Sequence, residues 1–340
     1  ERGVKCHMAL NIFAHNEDIG PFTEYLRSVK DLGIDAFIAA DPGVIDMIWE
    51  VMPDAEVHLS TQANMTNYRT AKFWHDRGIR RLVLARELTL EEIREMRENI
   101  PPDMELEAFV HGAMCISYSG RCLLSNFMIE RDANRGMCAH PCRWKYALVE
   151  QQRPGEYYPV EEDDRGTYIM NSKDLCLIEH LPQLIDAGIS SFKIEGRMKS
   201  VFYVATVVSA YRKAIDSYLA DPQSYSFRQQ WMEDLCKASH REFTTGFYFH
   251  KPDNLDQNYR TSDYTRDYSF VGIVKSYDPD TGYAKVEQRN KMVLGDRVEV
   301  FGPMTDFFEQ EISEMYDEKE KLFLLRLILS RSSRLRWPNR

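Results

Sequence analysis

The strongest constraint on the fold is an alternation of short apolar runs with amphipathic segments through the first 220 residues. Each apolar run is long enough for one strand, and the segment that follows it has the apolar period of a helix. Repetition of strand and helix indicates a parallel sheet, because consecutive parallel strands need a crossover that a helix supplies. The units before residue 112 are VKCHMALNIF with FTEYLRSVKDLG, AFIAAD with PGVIDMIWEVM, EVHLST with NYRTAKFWHDRG, RLVLAR with LTLEEIREMREN, and the strand LEAFVH.

Capping signals agree with these predicted helices. Asp41 precedes Pro42, which suits an N-cap followed by the first helical turn, and Thr89 with Glu92 has the spacing of a capping box. Glycine commonly ends a helix because it accepts a left-handed backbone, and a glycine closes three of the predicted helices. These glycines are Gly33, Gly78 and Gly188.

Further strand and helix signals follow a cysteine-rich loop that we place at residues 112–145. They favour a (β/α)8 TIM-type barrel over a doubly wound sheet, and we assign this barrel to residues 1–220. Because the chain opens inside an apolar run, we expect the barrel to be N-terminally truncated. The added signals are the strand TYIMN, the helix LIEHLPQLIDAG, the strand SFKIEG and the helix SVFYVATVVSAYRKAIDSYL.

The last third of the chain predicts a smaller domain of another kind. Residues 221–268 are polar and aromatic with few periodic signals, so we interpret them as a connecting segment. In residues 269–316, apolar and polar residues alternate between Asp-Pro, Thr-Gly and Leu-Gly turns, which indicates a small β-barrel domain. The predicted fold class is therefore α/β, with a TIM-type barrel followed by this β domain.

Composition and charge narrow the class of protein. No run approaches the roughly 18 apolar residues of a membrane span, so we expect a cytoplasmic protein with no membrane contact. A net charge of −10 argues against broad nonspecific binding to nucleic acid. Between Arg121 and Lys145, however, five basic residues stand against two acidic ones, and a phosphate-bearing partner could dock there. A solvated loop with scattered charges explains the same count.

The cysteines are concentrated in one part of the chain. Four of the seven lie between residues 107 and 142, and a fifth follows a charged loop. Gathered thiolates bind metals or clusters; zinc favours tight spacing, which only Cys138 and Cys142 approach, whereas iron–sulfur clusters accept ligands from distant loops. A cluster is thus favoured over zinc, and disulfides are the competing possibility in a chain without a signal peptide. The converging series is Cys115, Cys122, Cys138, Cys142 and Cys176, and we expect Cys6 and Cys236 to be buried apolar thiols.

The stretch ELEAFVHGAMCISYSGRCLLSNFMIERDANRGMC strongly resembles the defining motif of the peptidase U32 family, the collagenase-like proteases. The likeness continues upstream through MALNIFAHNEDI, HLSTQANMTNY and LARELTLEEI, and downstream through NSKDLCLI and FKIEGRMKS. It covers roughly residues 4–310. The predicted β domain resembles the family's C-terminal module, whereas residues 317–340 depart from the family pattern and form a divergent tail.

The resemblance implies an activity and its partners. The branch that this sequence resembles most acts in the hydroxylation of the tRNA wobble uridine to 5-hydroxyuridine, and other members hydroxylate ribosomal RNA or ubiquinone precursors. An RNA-modifying enzyme with tRNA as its partner is therefore expected, with prephenate as source or helper of the hydroxyl group. The family name keeps a peptidase acting on collagen-like peptides as an alternative, and a noncatalytic zinc-stabilised binding protein is a third possibility.

The resemblance also implies a cofactor, a four-iron, four-sulfur (4Fe-4S) cluster on four cysteines. The family spacing maps best onto Cys115, Cys122, Cys138 and Cys176, with Cys142 as a spare or alternate ligand. His111 lies four residues before Cys115, and a Cys-His pair would supply the thiolate nucleophile that a peptidase needs. A thiolate that binds a cluster cannot also attack a peptide bond, so the two hypotheses compete for the same residue.

Polar residues recur where the predicted strands end, which is the edge that carries the chemistry of a (β/α)8 barrel. Any one of them could instead be a cap or a polar group of a loop. Glu107, Glu195 and Lys193 could be an acid–base set, but ion pairing at the mouth of the barrel explains these charges equally well. The predicted catalytic residues are His111, Lys193, Glu195 and Arg197. The predicted substrate-binding residues are Gln62, Asn64, Arg86, Arg131, Arg135 and Arg143.

Overall fold

A computed structural model describes residues 3–114, 122, 124–131, 133–143, 147–148, 158–159, 173–250, 268–302, 305–318 and 322–326. The chain forms two compact units that alternate along the sequence. The first unit comprises residues 1–197, 220–227 and 240–264, and the second comprises residues 198–219, 228–239 and 265–340. This division differs from the predicted boundaries at residues 220 and 268.

Strands and helices alternate in the first unit as the sequence predicts. The first part contains β1 (His7–Leu10), α1 (Asn16–Val29), β2 (Ala36–Ala39), α2 (Pro42–Val51), β3 (Val57–Leu59), α3 (Tyr68–His75), β4 (Arg81–Val83), α4 (Leu90–Asn99) and β5 (Glu105–Ala113). After it come α5 (Leu124–Ile129), β6 (Ala147–Leu148), β7 (Tyr158–Pro159), β8 (Asp174–Cys176), α6 (Leu181–Asp186) and β9 (Ser191–Ile194). Single turns of 3-10 helix span Thr61–Ala63, Pro141–Arg143 and Ile178–His180. The predicted strand TYIMN lies outside the described residues.

The predicted helix ends are confirmed by their hydrogen bonds. The Asp41 side chain accepts the backbone N–H of Val44, with Pro42 at the first position of α2. Thr89 and Glu92 form the reciprocal capping box of α4. The three closing glycines all have positive φ, which is the conformation expected of residues that end a helix.

The main sheet is mostly parallel, which confirms the α/β class. Its strand order is β1-β2-β3-β4-β5, and β5 then pairs with both β9 and β8. The pairing with β9 is parallel, whereas β8 runs antiparallel to the end of β5 and is joined in parallel by β10 (Phe243–Thr244). Within the described residues β1 pairs with β2 alone, so the strand pairings that the structure describes form an open sheet.

Strands β5 and β9 approach each other closely at Gly112. The backbone N–H of Glu195, just after β9, donates a 2.9 Å hydrogen bond to the carbonyl of His111. Gly112 has φ +111°, and a Cβ atom placed on it would lie 2.5 Å from the carbonyl oxygen of Glu195. A glycine is therefore required here both by backbone conformation and by space.

The second unit contains two long segments of helix and the C-terminal strands. Its elements are α7 (Val201–Ala220), α8 (Gln229–Lys237), β11 (Gly272–Asp278), β12 (Tyr283–Gln288), β13 (Arg297–Gly302), β14 (Thr305–Glu311), β15 (Met315–Glu318) and β16 (Leu322–Arg326). Strands β11-β12-β16-β15 form an antiparallel sheet and β13-β14 form a hairpin. The buried core of the strands comprises Ala284, Val286, Met292 and Ile312.

Two segments differ from the sequence prediction because of tertiary packing. Helix α8 lies within the predicted connecting segment, and β16 lies within the predicted tail, where it pairs with β12 and β15. Helix α7 joins the second unit because Phe202 stacks on Phe270, with ring centroids 5.5 Å apart, and Lys213 Nζ pairs with Asp306 at 2.6 Å. No helix in the described ranges combines the length and apolarity that crossing a membrane demands.

Replacing Gly112 by Ala should lower the free energy of unfolding by about 2 kcal/mol or more, because a Cβ atom adds backbone strain and a clash with Glu195. Denaturant unfolding followed by circular dichroism measures this loss. Gly33→Ala is the matched control, since Gly33 also has positive φ but no atom within 4 Å of the added Cβ. Equal losses in the two variants would contradict a tight approach of the strands at Gly112.

Candidate functional site

An ion pair between a buried carboxylate and a half-buried lysine joins β5 to β9 in the middle of the sheet. The Glu107 carboxylate pairs with Lys193 Nζ at 2.8 Å and accepts a 2.7 Å hydrogen bond from Ser191 Oγ. Arg81 Nη1 lies 3.7 Å from the same carboxylate. The strand register brings these groups together, because Glu107 is paired with Ser191 and Phe109 with Lys193. Lys193 is thus inside β9 and not at its end.

The charge state of Glu107 follows from these contacts. Burial acts to raise the pKa of Glu107, but the positive charge of Lys193 and the hydrogen bonds from Lys193 and Ser191 act in the opposite direction, and the result is a pKa below the ordinary value. Arg81 contributes in the same sense. Glu107 is therefore a carboxylate at neutral pH, and the pair is a fixed charged element within the sheet.

The ring of Phe109 is a platform for two cations. The guanidinium of Arg86 lies 3.9 Å from the ring centroid, and Lys193 Nζ lies 5.7 Å from it. Arg86 also donates a 3.1 Å hydrogen bond from Nη1 to the carbonyl of Ala113, and its Nη2 lies 4.0 Å from the carboxylate of Glu195. Stacking and hydrogen bonding together hold the guanidinium in one orientation. A largely buried arginine is thus positioned where β4, β5 and β9 end.

The backbone of β5 is supported from a distant part of the chain. Tyr248 is buried, and its hydroxyl donates a 2.8 Å hydrogen bond to the carbonyl of Phe109. Burial raises the pKa of this phenol, so that it stays protonated and remains a donor. The carbonyl lies at the register shift between Phe109 and His111, where the ladder between β5 and β9 is irregular. Tyr248 therefore stabilises the irregular part of the strand.

His111 and Cys176 lie opposite each other on neighbouring strands. They are paired in the antiparallel ladder between β5 and β8, and both are buried. The imidazole ring of His111 contacts the ring of Phe243, with centroids 5.5 Å apart. The structure thus brings a predicted catalytic residue next to a predicted cluster ligand, although 65 residues separate them in sequence.

The end of β9 reaches the cysteine-rich segment. Glu195 accepts the backbone N–H of Arg197 at 2.9 Å, and the Arg197 guanidinium lies against Gly136, where an added Cβ would be 3.2 Å from Nη1. Gly136 precedes Cys138 by two residues. Of the predicted catalytic set, Glu195 and Arg197 therefore follow β9, and Arg197 contacts the segment that carries the thiols, whereas His111 and Lys193 lie within strands.

The cysteine-rich segment is anchored on the loop and helix that follow β1. The Asn134 side chain accepts the backbone N–H of Phe13 at 2.7 Å, and Arg135 forms a two-pronged ion pair with Asp18 at 2.7 and 3.2 Å. The hydrogen bond from Arg135 lowers the pKa of Asp18, with a further contribution from the backbone N–H of His15. Arg135, predicted to bind phosphate, is thus engaged within the protein.

The other two predicted phosphate-binding arginines of this segment differ in what the structure describes. Arg131 is exposed. The side chain of Arg143 lies outside the described residues, although its backbone belongs to the 3-10 turn Pro141–Arg143. The side chain of Arg131 is therefore accessible to solvent.

Two of the thiols accept backbone hydrogen bonds. The N–H of Leu124 points to Cys122 Sγ, and the N–H of His140 points to Cys138 Sγ, each at 3.4 Å. Backbone N–H donors directed at cysteine sulfur are also found around the sulfurs of metal and cluster sites, where they orient the ligands. The six cysteines within the described residues are free thiols. Cys236 is half-buried, and the prediction of a buried Cys6 is wrong, because it lies before β1 and is exposed.

The complete predicted ligand set is not within the described part of the chain, because Cys115 lies outside it. Among the described residues, no three His, Cys, Asp or Glu side chains are grouped in a way that could hold a metal ion. Cys142 lies in the turn Pro141–Arg143 and is half-buried. The assignment of the four ligands, with Cys142 as alternate, therefore stays a prediction.

Gln62 and Asn64 lie on the turn that follows β3. Ser60 caps this turn by accepting the backbone N–H of Gln62, and Asn64 ends it in the left-handed conformation. Thr61 Oγ1 donates to the carbonyl of Leu84 at 2.9 Å, and the N–H of Ala85 donates to the carbonyl of Met65 at 3.3 Å. The turn is therefore joined to the end of β4, directly before Arg86.

Sequence reasoning missed three residues that shape the site. Phe109 stacks under Arg86, Tyr248 supports β5, and Asp18 neutralises Arg135. Simple alternation does not reveal the position of Phe109, because strand β5 is irregular between Phe109 and His111. Tyr248 and Asp18 are separated from their partners by more than a hundred residues, and no local signal marks them.

Comparison with known proteins gives consistent matches over most of the chain. The profile of Peptidase family U32 matches residues 1–258, and that of the Peptidase family U32 C-terminal domain matches residues 266–323. tRNA hydroxylation protein P1 of Bacillus subtilis is 45% identical over 93% of this chain and 74% of its own length. tRNA hydroxylation protein P of Escherichia coli is 39% identical over 88% of this chain and 74% of its own length. A collagenase of Porphyromonas gingivalis is 32% identical over 93% of this chain and 77% of its own length.

Removing Lys193 should destabilise the fold strongly, because it leaves the buried carboxylate of Glu107 unpaired. We expect Lys193→Met to lower the free energy of unfolding by about 3–5 kcal/mol at neutral pH, and the double variant with Glu107→Gln to recover part of the loss. Lys173→Met is the control, since it breaks a more exposed pair with Glu242 and should cost no more than about 1 kcal/mol. Equal losses in the two single variants would contradict a buried pair.

The contribution of Glu107 to the stability of the fold should decrease as the pH is lowered. Because its pKa is lower in the folded than in the unfolded protein, its stabilisation is complete above about pH 4.3, where unfolded Glu is ionised, and is lost as the pH falls through the folded pKa. The stability difference between the wild type and Glu107→Gln, measured by denaturant unfolding, should therefore be constant near neutrality and shrink in acid. A difference that grows in acid would contradict the sign of the shift.

Proposed function

The chain belongs to peptidase family U32, and from this membership we propose that it is an enzyme of tRNA hydroxylation that acts on the wobble uridine to give 5-hydroxyuridine. The observation that carries the proposal is the likeness, over most of the chain, to several proteins named for tRNA hydroxylation. They come from Bacillus subtilis, Haemophilus influenzae and Escherichia coli and are 36–45% identical to this chain. A tRNA substrate also supports the expected cytoplasmic location.

The arrangement of strand ends supports a site for a single nucleotide. Residues after β3, β4 and β9 supply amide, guanidinium and carboxylate groups at the carboxyl edge of the parallel strands. In the neighbouring segment, the positively charged side chain of Arg131 is exposed to solvent. Protein enzymes that modify bases bind an unstacked nucleotide, which a tRNA loop can offer at low cost. Phosphate contacts would orient the loop, and the strand ends would receive the base.

We also propose that the open parallel sheet belongs to a (β/α)8 barrel. What supports this is the sequential parallel order from β1 to β5 followed by parallel pairing of β5 with β9, as in a barrel that adds one strand per repeat. For the second unit, antiparallel strands around the apolar core support a small β-barrel. In a barrel the carboxyl edge of the strands converges, which would gather the predicted site residues.

A 4Fe-4S cluster is proposed as the cofactor, with Cys115, Cys122, Cys138 and Cys176 as ligands and Cys142 as alternate. The described thiols fit such a group in their chemistry, because Cys122 and Cys138 are free thiols whose sulfurs accept backbone N–H hydrogen bonds, as cluster sulfurs do. When bound, a cluster supplies electron transfer to the site. Zinc is the alternative metal, and prephenate is kept as the proposed source or helper of the hydroxyl group.

The protein's own residues would bind, orient and hold protons around the target base. Arg86, fixed on Phe109 and beside Glu195, offers a preorganised positive charge. Lys193 is paired with Glu107, so in this proposal it orients the sheet and the Phe109 platform. The buried imidazole of His111 would hold or move a proton beside Cys176.

A peptidase is the second candidate, favoured by one observation, the likeness to the collagenase of Porphyromonas gingivalis. It would use Cys115 as a nucleophile activated by His111 on collagen-like peptides. The likeness to the tRNA hydroxylation proteins reaches higher identity, and this favours the first candidate. Cleavage of gelatin by the pure protein that is lost in Cys115→Ser but survives removal of iron would support the peptidase instead.

Alanine variants of the cysteines test the cofactor. After anaerobic purification, the wild type should be brown and contain iron, and replacing Cys115, Cys122, Cys138 or Cys176 should remove the iron because each replacement takes away one of four thiolates. Cys6→Ala and Cys236→Ala are the matched controls and should keep it. Equal iron content in all six variants would contradict the assignment of these four cysteines as ligands. Iron loss in Cys142→Ala with retention in Cys138→Ala would move the third ligand to Cys142, and a colourless zinc protein would support the binding-protein alternative.

Mass spectrometry of tRNA nucleosides tests the activity. A strain without this gene, and without any second relative of it, should lose 5-hydroxyuridine at the wobble position, and the full-length gene should restore it. Arg86→Met, Glu195→Gln and Arg197→Met should fail to restore it, since each removes a charged group at the strand ends, whereas Cys236→Ala should restore it fully. Unchanged 5-hydroxyuridine in the deletion strain would overturn the proposed function.

A further inference from the structure

Asn64 carries a buried amide whose hydrogen-bonding groups have no use within the described structure. Both Nδ2 and Oδ1 are shielded from solvent, and neither has a hydrogen-bond partner among the described residues. A carboxamide can donate two hydrogen bonds and accept others, and burial without them is costly. An amide kept in such a position therefore points to a partner outside the folded chain.

The backbone of Asn64 does not explain its side chain. Asn64 has φ 50° and ψ 50°, and its N–H donates to the carbonyl of Thr61 to close the turn. Asparagine is tolerated in this left-handed conformation, but glycine adopts it with less strain and brings no polar group to bury. Conformation alone would favour glycine, so the carboxamide has a separate role.

The place of Asn64 in the fold ties it to the proposed site. Its turn follows β3 at the carboxyl edge of the parallel sheet and is hydrogen-bonded to Leu84 and Ala85 at the end of β4. The residue after Ala85 is Arg86, which lies on the ring of Phe109. The unused amide and the cation on its aromatic platform thus belong to adjacent strand ends.

The chemistry of the amide matches one edge of a pyrimidine. Uracil presents the N3–H donor between the acceptors O2 and O4, and a planar carboxamide can meet one donor and one acceptor of such an edge at once, as it does on adenine in DNA. Hydrogen bonds to N3–H and O4 leave C5 uncovered. Since O4 is attached to the carbon next to C5, the same two hydrogen bonds would also fix the position of the atom that is to be hydroxylated.

We propose that Asn64, when its amide turns out of this shielded position, binds the Watson–Crick edge of the target uracil, with Oδ1 accepting N3–H and Nδ2 donating to O4. This inference rests on the proposed function, because it specifies how the wobble base is held. Asn64 is then a substrate-binding residue that orients the base and takes no part in the transfer of oxygen.

The test measures binding of two anticodon stem-loop RNAs to the full-length, anaerobically purified protein. One RNA carries uridine at the wobble position and the other carries 3-methyluridine, which lacks the N3–H donor. The wild type should bind the uridine RNA about 10-fold more tightly, the low end for a bidentate contact with a base edge. Asn64→Gly, which suits the left-handed backbone, should keep its thermal stability and bind both RNAs with the weaker affinity.

Asn64→Asp is the second variant, for use if the glycine variant does not fold. It keeps the shape of the side chain and still accepts N3–H, but it replaces the donor to O4 by an acceptor, so it should bind the uridine RNA more weakly than the wild type. A wild type that binds both RNAs equally, a glycine variant that keeps the full preference, or an aspartate variant that binds the uridine RNA as tightly as the wild type overturns the role of Asn64 and leaves the proposed function standing. A wild type that binds neither RNA overturns both.

Discussion

Strand β5 is the part of the first unit on which the rest depends, because it is hydrogen-bonded to three other strands. It continues the parallel series from β4, pairs in parallel with β9, and turns its last residues to the antiparallel β8. Such crowding needs the glycine at position 112, since any side chain there would collide with Glu195. The requirement for close approach therefore places the end of β9 beside the start of the cysteine-rich segment.

Charge inside the sheet is tolerated because every charged group has compensation. Glu107 has Lys193, Ser191 and Arg81 around it, and Arg86 has the face of Phe109 and the carboxylate of Glu195. Ionised groups with partners and hydrogen bonds can be buried, whereas isolated ones would shift their pKa and become neutral. The result is a set of rigid, oriented charges at the strand ends, which suits a site that must hold a base and its ribose phosphate in one position.

The cysteine-rich segment is held against the rest of the first unit, and two of its sulfur atoms accept backbone hydrogen bonds. The ion pair between Arg135 and Asp18 and the contact of Arg197 with Gly136 hold it against two separate parts of the first unit. Backbone N–H groups at Cys122 and Cys138 hold the two sulfur atoms in position. Together with the buried Cys176 opposite His111, these features agree with the proposed hydroxylation site better than with a peptidase, which needs one free nucleophilic thiol.

The sequence by itself determined the strand and helix order, the helix caps at Asp41 and Thr89, the membership in a family, and the segment in which the thiols gather. These depend on local periodicity and on motifs that are contiguous in the chain. Tertiary structure alone decided which charges pair. Lys193 and Arg135, assigned to catalysis and phosphate binding from their positions, are bound to Glu107 and Asp18, which lie 86 and 117 residues away. The reason is that such pairs are set by the register between distant strands and by loop docking, and neither leaves a periodic signal in the sequence.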